Sequence, residues 1–246
     1  MRSLLRGAWH TVVPGPGDRH GPLPPMLLGL TVLSGVIDAV SYLTMDHVFV
    51  ANQTGNVAFL AFALTGAPGF SIAASVIALA FFAVGSFVGG RLVRTVGHRS
   101  RALLRGALVE TALLGAATAV VAVDSAPGPL HAHPYRYLAI ALTALAMGVQ
   151  NAVVQVLAVP DLTTNVMTKT IAGLFTDSAV GGRLEERAGR QVLSVLALAV
   201  GAVLGAALVL HTNATAAVAT AAALAVAVGL AAARYARSTA PWTGSP

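Results

Sequence analysis

VFVANQTGNVAFLAFALTG, residues 48–66, is the stretch that decides how this chain folds. Apolar residues flank a polar knot, Asn52-Gln53-Thr54-Gly55-Asn56. The apolar run that starts at the knot, 54–66, is too short to cross a bilayer, since a spanning helix needs about 20 residues at 1.5 Å each. It is therefore predicted as a short re-entrant or broken helix, entered from an extended segment and facing a polar site. A second stretch of the same kind, 163–176, starts at Thr163-Thr164-Asn165.

Around these two short segments lie six apolar runs long enough to span: about 26–45, 71–93, 103–123, 137–158, 191–211 and 214–235. Composition agrees. Of 246 residues 56% are hydrophobic and only 10% charged, with a mean hydropathy of +0.78. A soluble domain carries roughly 25% charge. The predicted class is an all-α polytopic membrane protein with six transmembrane helices plus two short re-entrant or broken helices. The predicted layout is a disordered cytoplasmic tail over 1–25, one membrane domain over 26–235, and a C-terminal tail over 236–246.

Charge sets the orientation. With the N-terminus cytoplasmic and both short segments returning without crossing, thirteen of the fifteen basic residues fall on the cytoplasmic side. Only Arg136 falls outside, and Lys169, the sole lysine, lies within the second short segment. The positive-inside bias thus predicts an inner-membrane protein with both termini cytoplasmic. The net charge of +6 resides in these loop clusters, which argues against a nucleic-acid partner. The expected partners are the lipid bilayer and a small polar solute. No cysteine is present, so thiolate chemistry and cysteine-based metal sites are excluded. The spacing His131-Ala-His133 reads as loop rather than metal site, and no cofactor or metal is expected.

The two halves, about 26–123 and 137–235, resemble each other. Gly35-Val36-Ile37-Asp38-Ala39-Val40 is answered 113 residues on by Gly148-Val149-Gln150-Asn151-Ala152-Val153. Thr54-Gly55-Asn56 is answered by Thr163-Thr164-Asn165, and Gly85-x-x-x-Gly89 by Gly201-x-x-x-Gly205. With three spans per half the repeats must be inverted, a recurring transporter plan. The Gly-x-x-x-Gly pairs are expected to allow close helix packing.

The motifs G-x-x-D-A-x-x-Y-L at 35–43, V-F-x-A-N-x-T-G-N at 48–56, G-x-x-N-A at 148–152 and T-T at 163–164 resemble the YoaK-like family of bacterial inner-membrane proteins. The biochemical function of that family is uncharacterised. Gln53 departs from the methionine that family is expected to carry. The resemblance implies a polytopic inner-membrane protein and supplies no substrate.

Several residues could carry chemistry. Asp38 falls near the expected midplane, where a carboxylate costs at least ~2.5–3.5 kcal/mol and must face a cavity or a partner. Glu110 lies below the interface of its own span, and Arg105, five residues earlier, is off the favoured pairing spacing. Lys169 is a candidate counter-charge for either acid. Thr54 and Thr163 are suitable N-caps for the short helices, whose free N–H groups would attract an anion. The opposing reading is that the polar knots merely satisfy broken backbone. Gly55 is expected to give backbone clearance, and Gln150 and Gln155 to make interhelical hydrogen bonds.

These residues predict one central solute site between two half-helices: Asp38, Asn52, Thr54, Gly55, Asn56, Asn151, Thr163, Thr164 and Asn165. Coupling or charge is assigned to Asp38, Glu110 and Lys169. The function expected is a secondary transporter or channel for a small polar solute, anions included. The alternatives are a non-transporting scaffold or sensor and, less well supported, a membrane-embedded enzyme. No nucleophile–base pair or phosphate-cradling loop supports the last.

Overall fold

The computed structural model describes residues 9, 11–13, 15, 18–124, 133–159 and 184–244. Their regular structure is helical, without a strand among the described residues. Among the described residues six helices are long and apolar enough to cross a membrane: α1 (Leu23–Thr44), α3 (Ile72–Arg94), α4 (Arg99–Asp124), α5 (His133–Leu157), α6 (Leu184–His211) and α7 (Ala214–Arg234). Between α1 and α3 lies α2 (Gln53–Leu64), whose 12 residues make about 18 Å, too short to span. The second short segment, 163–176, lies outside the described residues.

Helix ends explain small departures from the predicted runs. α1 starts at Leu23 with Pro22 before it and prolines in its first turn, where a missing N–H costs nothing. Part of the predicted disordered tail is therefore helix, and Trp9, Thr11 and Val12 are helical as well. The earlier start also moves Asp38. It sits roughly 7 Å beyond the centre of α1, toward α2. Glu110 is the acid nearer the middle of its helix. α3 and α7 are capped by Ser71 Oγ, which accepts from the Ala74 N–H (3.2 Å), and Asn213 Oδ1, which accepts from the Ala216 N–H (2.7 Å). His133, read as loop, begins α5.

α1 and α5 are the most buried helices, and α3 and α6 the most exposed. α1 packs on α6, α5 on α3, and α4 on α7. Glycines set the first two crossings. A Cβ on Gly35 would run into the Leu198 carbonyl oxygen, and one on Gly201 into the Val32 carbonyl oxygen. At the other crossing a Cβ on Gly148 would run into the Phe82 carbonyl oxygen, and one on Gly85 into the Leu145 carbonyl oxygen. Gly205 and Gly89 are close as well, each leaving a Cβ 2.8 Å from a facing Cα, of Val36 and Val149 respectively. Small residues let helix backbones approach this closely, which is the packing role expected of Gly-x-x-x-Gly.

Candidate functional site

The break between α1 and α2 is built from backbone that no helix satisfies. In a hydrocarbon environment each such group needs a partner. Asp38 Oδ1 accepts from the N–H groups of Val50 (3.0 Å) and Ala51 (2.8 Å). Asp38 Oδ2 accepts from Asn52 Nδ2 at 2.5 Å. The Asn56 side chain brackets Phe49: its Oδ1 accepts from the Phe49 N–H (2.9 Å), and its Nδ2 donates to the Phe49 carbonyl. Gln53 Nε2 donates to the Val50 carbonyl (2.8 Å), and Gln53 Oε1 accepts from Asn56 Nδ2 (2.6 Å). Asp38, Gln53 and Asn56 thus answer both polar groups of Phe49 and Val50 and the N–H of Ala51.

Two expectations are corrected by this arrangement. Thr54 is not the N-cap: α2 starts at Gln53, Asn52 occupies the cap position without a side-chain cap bond, and Thr54 is exposed. The reason is that Asn52 is turned toward Asp38. Gly55 gives clearance to a ring rather than to backbone, since its Cβ would stand 2.8 Å from the Phe49 ring. The N–H groups of Val50 and Ala51, just before the start of α2, are taken by a protein carboxylate.

The turn before the break is pinned at two points. Asp46 and His47 both adopt positive φ, 57° and 56°, which non-glycine residues rarely hold. Asp46 is held by Arg136 of α5 (2.7 Å), and His47 Nδ1 lies 3.0 Å from the Gly69 carbonyl. Arg136, the arginine left outside by the charge count, thus has a partner that the sequence did not suggest. The Tyr42 ring stacks on Phe49 at 5.1 Å, and Phe59 and Phe70 extend the aromatic cluster.

Beside the break is a cavity of about 550 Å³. Asp38, Asn52, Thr54 and Gly55 line it from one side, Tyr42 and Phe49 form aromatic walls, and Leu198, Ala202 and Ala206 of α6 close the far side. Asp38 is 6% exposed, so the cavity reaches a carboxylate that is otherwise enclosed. Only Arg136–Asp46 forms an ion pair among the described residues, so Asp38 has no cationic partner there. Of the predicted site, then, four residues share one cavity. Asn56 is fully buried and occupied with the backbone of Phe49. Asn151 lies on α5 and does not line the cavity. Thr163, Thr164, Asn165 and Lys169 lie outside the described residues, as does the predicted meeting of the two knots.

Glu110 stands apart. It is 1% exposed, and its Oε1 has no hydrogen-bond partner. Arg105 is exposed on another face of α4. Gln150 behaves as an interhelical glue, donating to Ser34 Oγ at 2.7 Å. The sequence reading missed the aromatic walls and the α6 side of the cavity. Tyr42 and Phe49 sit within the quoted motifs, so their proximity to Asp38 was the available signal. Nothing local marks Leu198 or Ala202.

A family model described as "Protein of unknown function (DUF1275)" matches residues 26–231. The chain is also 28% identical over 159 residues to the UPF0700 transmembrane protein YoaK of Bacillus subtilis (strain 168), a stretch covering 63% of this chain and 66% of that protein. The match thus spans just under two thirds of the relative's length. No solved structure matches. The chain belongs to this uncharacterised family and is a multi-pass membrane protein.

Proposed function

We propose that this member of a family without an assigned activity is a small secondary transporter or channel, and that its solute site is the cavity beside Asp38. The observation carrying the reading is a nearly enclosed carboxylate at a helix break, bordering a cavity large enough for a small solute. Intramembrane ionisable groups mark pathways more often than scaffolds need them, and broken helices near a repeat interface are where transporters bind. The glycine crossings add support for an inverted repeat, because residues matched by sequence offset occupy matched places in the two crossings.

The chemistry of the cavity narrows the solute. Its polar groups are a carboxylate, an amide and hydroxyls, set in apolar and aromatic walls. A solute bearing hydrogen-bond donors, neutral or cationic, suits such a wall, and an anion does not. Glu110 is the group we assign to proton exchange during the cycle, as the other membrane-embedded acid. The reading includes an inner-membrane location with both termini cytoplasmic, and no enzymatic step.

Proteoliposomes on a solid-supported membrane test it with methylammonium, acetamide and acetate as probes. A saturable response to methylammonium or acetamide that Asp38→Asn abolishes is the expected result. Acetate alone giving the response, or Asp38→Asn responding like the parent chain, would overturn it. Orientation is checked with single cysteines in this cysteine-free chain. Pro68→Cys, in the α2–α3 turn, should react with an impermeant outside reagent, and Gly97→Cys, in the α3–α4 turn, should not.

A further inference from the structure

A second cavity, of about 500 Å³, lies at the end of the bundle where α1 finishes. Asp46, His47, Ser71, Arg136 and Tyr137 give it polar walls. Tyr42 and Leu43 line both this cavity and the one beside Asp38, so the two meet along the last turn of α1. The side chains of Arg136 and Asp46 are 34% and 20% exposed, whereas Asp38 is enclosed. The second cavity is therefore the one nearer the surface.

The Tyr42 ring touches one ring from each cavity. Phe49, which lines the inner one, stacks on it at 5.1 Å, and His47, which lines the outer one, meets it edge-on at 5.3 Å. His47 and Asp46 hold positive φ, a conformation that persists in non-glycine residues only where the surroundings impose it. Two contacts to other elements do so here. Arg136 of α5 holds Asp46 at 2.7 Å, and the Gly69 carbonyl of the α2–α3 turn lies 3.0 Å from His47 Nδ1. Releasing the ion pair would free the turn, and with it the imidazole that rests on Tyr42.

We infer that the outer cavity is the entry chamber for the polar solute, and that the Tyr42 ring partitions it from the Asp38 cavity with the Asp46–Arg136 pair as latch. This rests on the transporter reading above, orientation included, and adds the route by which the solute arrives. Alternating access needs one side of a central site to be closed while the other is open, and a ring held from both cavities supplies such a closure. The paired charges of Asp46 and Arg136 cancel, so the chamber admits polar solutes of either charge and leaves selection to Asp38.

Single cysteines in this cysteine-free chain test it, with an impermeant quaternary-ammonium methanethiosulfonate applied outside intact cells. Thr44→Cys reports the outer cavity and Ala202→Cys the Asp38 cavity. A partition open in about 0.1–10% of molecules slows the inner label roughly tenfold or more. The expected result is a fast Thr44→Cys and an Ala202→Cys slower by roughly that factor, with Tyr42→Ala removing most of the difference. Arg136→Gln should remove part of it, and carries the test if Tyr42→Ala does not yield folded protein. Gly97→Cys, at the other end of the bundle, should stay unlabelled in the Tyr42→Ala background, which separates an opened partition from a loosened bundle. An unreactive Thr44→Cys, an Ala202→Cys as fast as Thr44→Cys before any second substitution or still slow after both, or a labelled Gly97→Cys would overturn the inference. Labelling needs no transport. The expected pattern without a saturable solute response rejects the transporter reading alone, and a solute response without the pattern rejects the partition alone.

Discussion

The turn of α1 around Gly35 and the turn of α5 around Gly148 are the two most alike places in the molecule, and they part company within one turn. Both press backbone to backbone against a glycine pair of another helix, Gly201 and Gly205 for α1, Gly85 and Gly89 for α5. Residues 32, 35 and 36 on one side match 145, 148 and 149 on the other, 113 positions apart. Beyond the crossing the chemistry differs. Asp38 answers to Asn151, and the buried Ile37 answers to Gln150, which reaches across to Ser34. A crossing without room for a Cβ leaves no choice of residue. The next turn, facing polar groups, leaves several, and the carboxylate sits in only one half.

The comparison breaks most readily at the glycines. Gly35→Val and Gly148→Val should each cost about 3 kcal/mol or more, because the obstacle is backbone that no rotamer change relieves. Thermal midpoints and monodisperse yield in detergent should fall by similar amounts for both. Tolerance on one side only would end the equivalence of the two crossings.

A smaller effect should separate Asp38 from Asn151. Asp38→Asn retains one oxygen for the Val50 and Ala51 N–H groups, and rotation of the Asn52 amide offers its own oxygen to the new amide nitrogen. Folding should survive at a cost of about 1–2 kcal/mol, the difference between charged and neutral acceptors. Response to methylammonium or acetamide should disappear. Asn151→Asp should create no second response, since Asn151 does not line the cavity.

The smallest effect is reserved for the polar link between the halves. Ser34→Ala removes the nearer acceptor of Gln150 Nε2, leaving the Leu30 carbonyl at 3.4 Å, and the lost interhelical bond should lower stability by about 0.6 kcal/mol. A loss above about 2 kcal/mol in the thermal midpoint analysis would mean that this link holds α1 to α5 by more than one interhelical hydrogen bond is worth.

Much of this was readable in advance because bilayer thickness is a strict ruler. A 20-residue apolar requirement located all six spans, and the shortness of 54–66 together with five polar or small residues located the break. Asp38 and Asn52 were legible as site residues because polar side chains at that depth need a reason. Their connection was not, since nothing in spacing says that a helix side chain will serve backbone twelve residues later. The cap fell on Asn52 rather than Thr54 for the same reason. The α6 wall of the cavity was invisible, because Leu198 and Ala202 look like any lipid-facing residues until the crossing at Gly35 brings them close.

The exchanged crossings also set an order in time. Gly148 meets Gly85, which was synthesised before it, but Gly35 must wait for Gly201, 166 residues downstream. At roughly 5–20 residues per second, that wait lasts about 10–30 seconds. For that interval α1 sits in the membrane without the helix it is shaped to hold, carrying a carboxylate. The donors that carboxylate needs belong to residues 50–52 and leave the ribosome within seconds of it. The segment 50–52 therefore acts first as a chaperone for its own helix, covering Asp38 long before α6 arrives to complete the cavity.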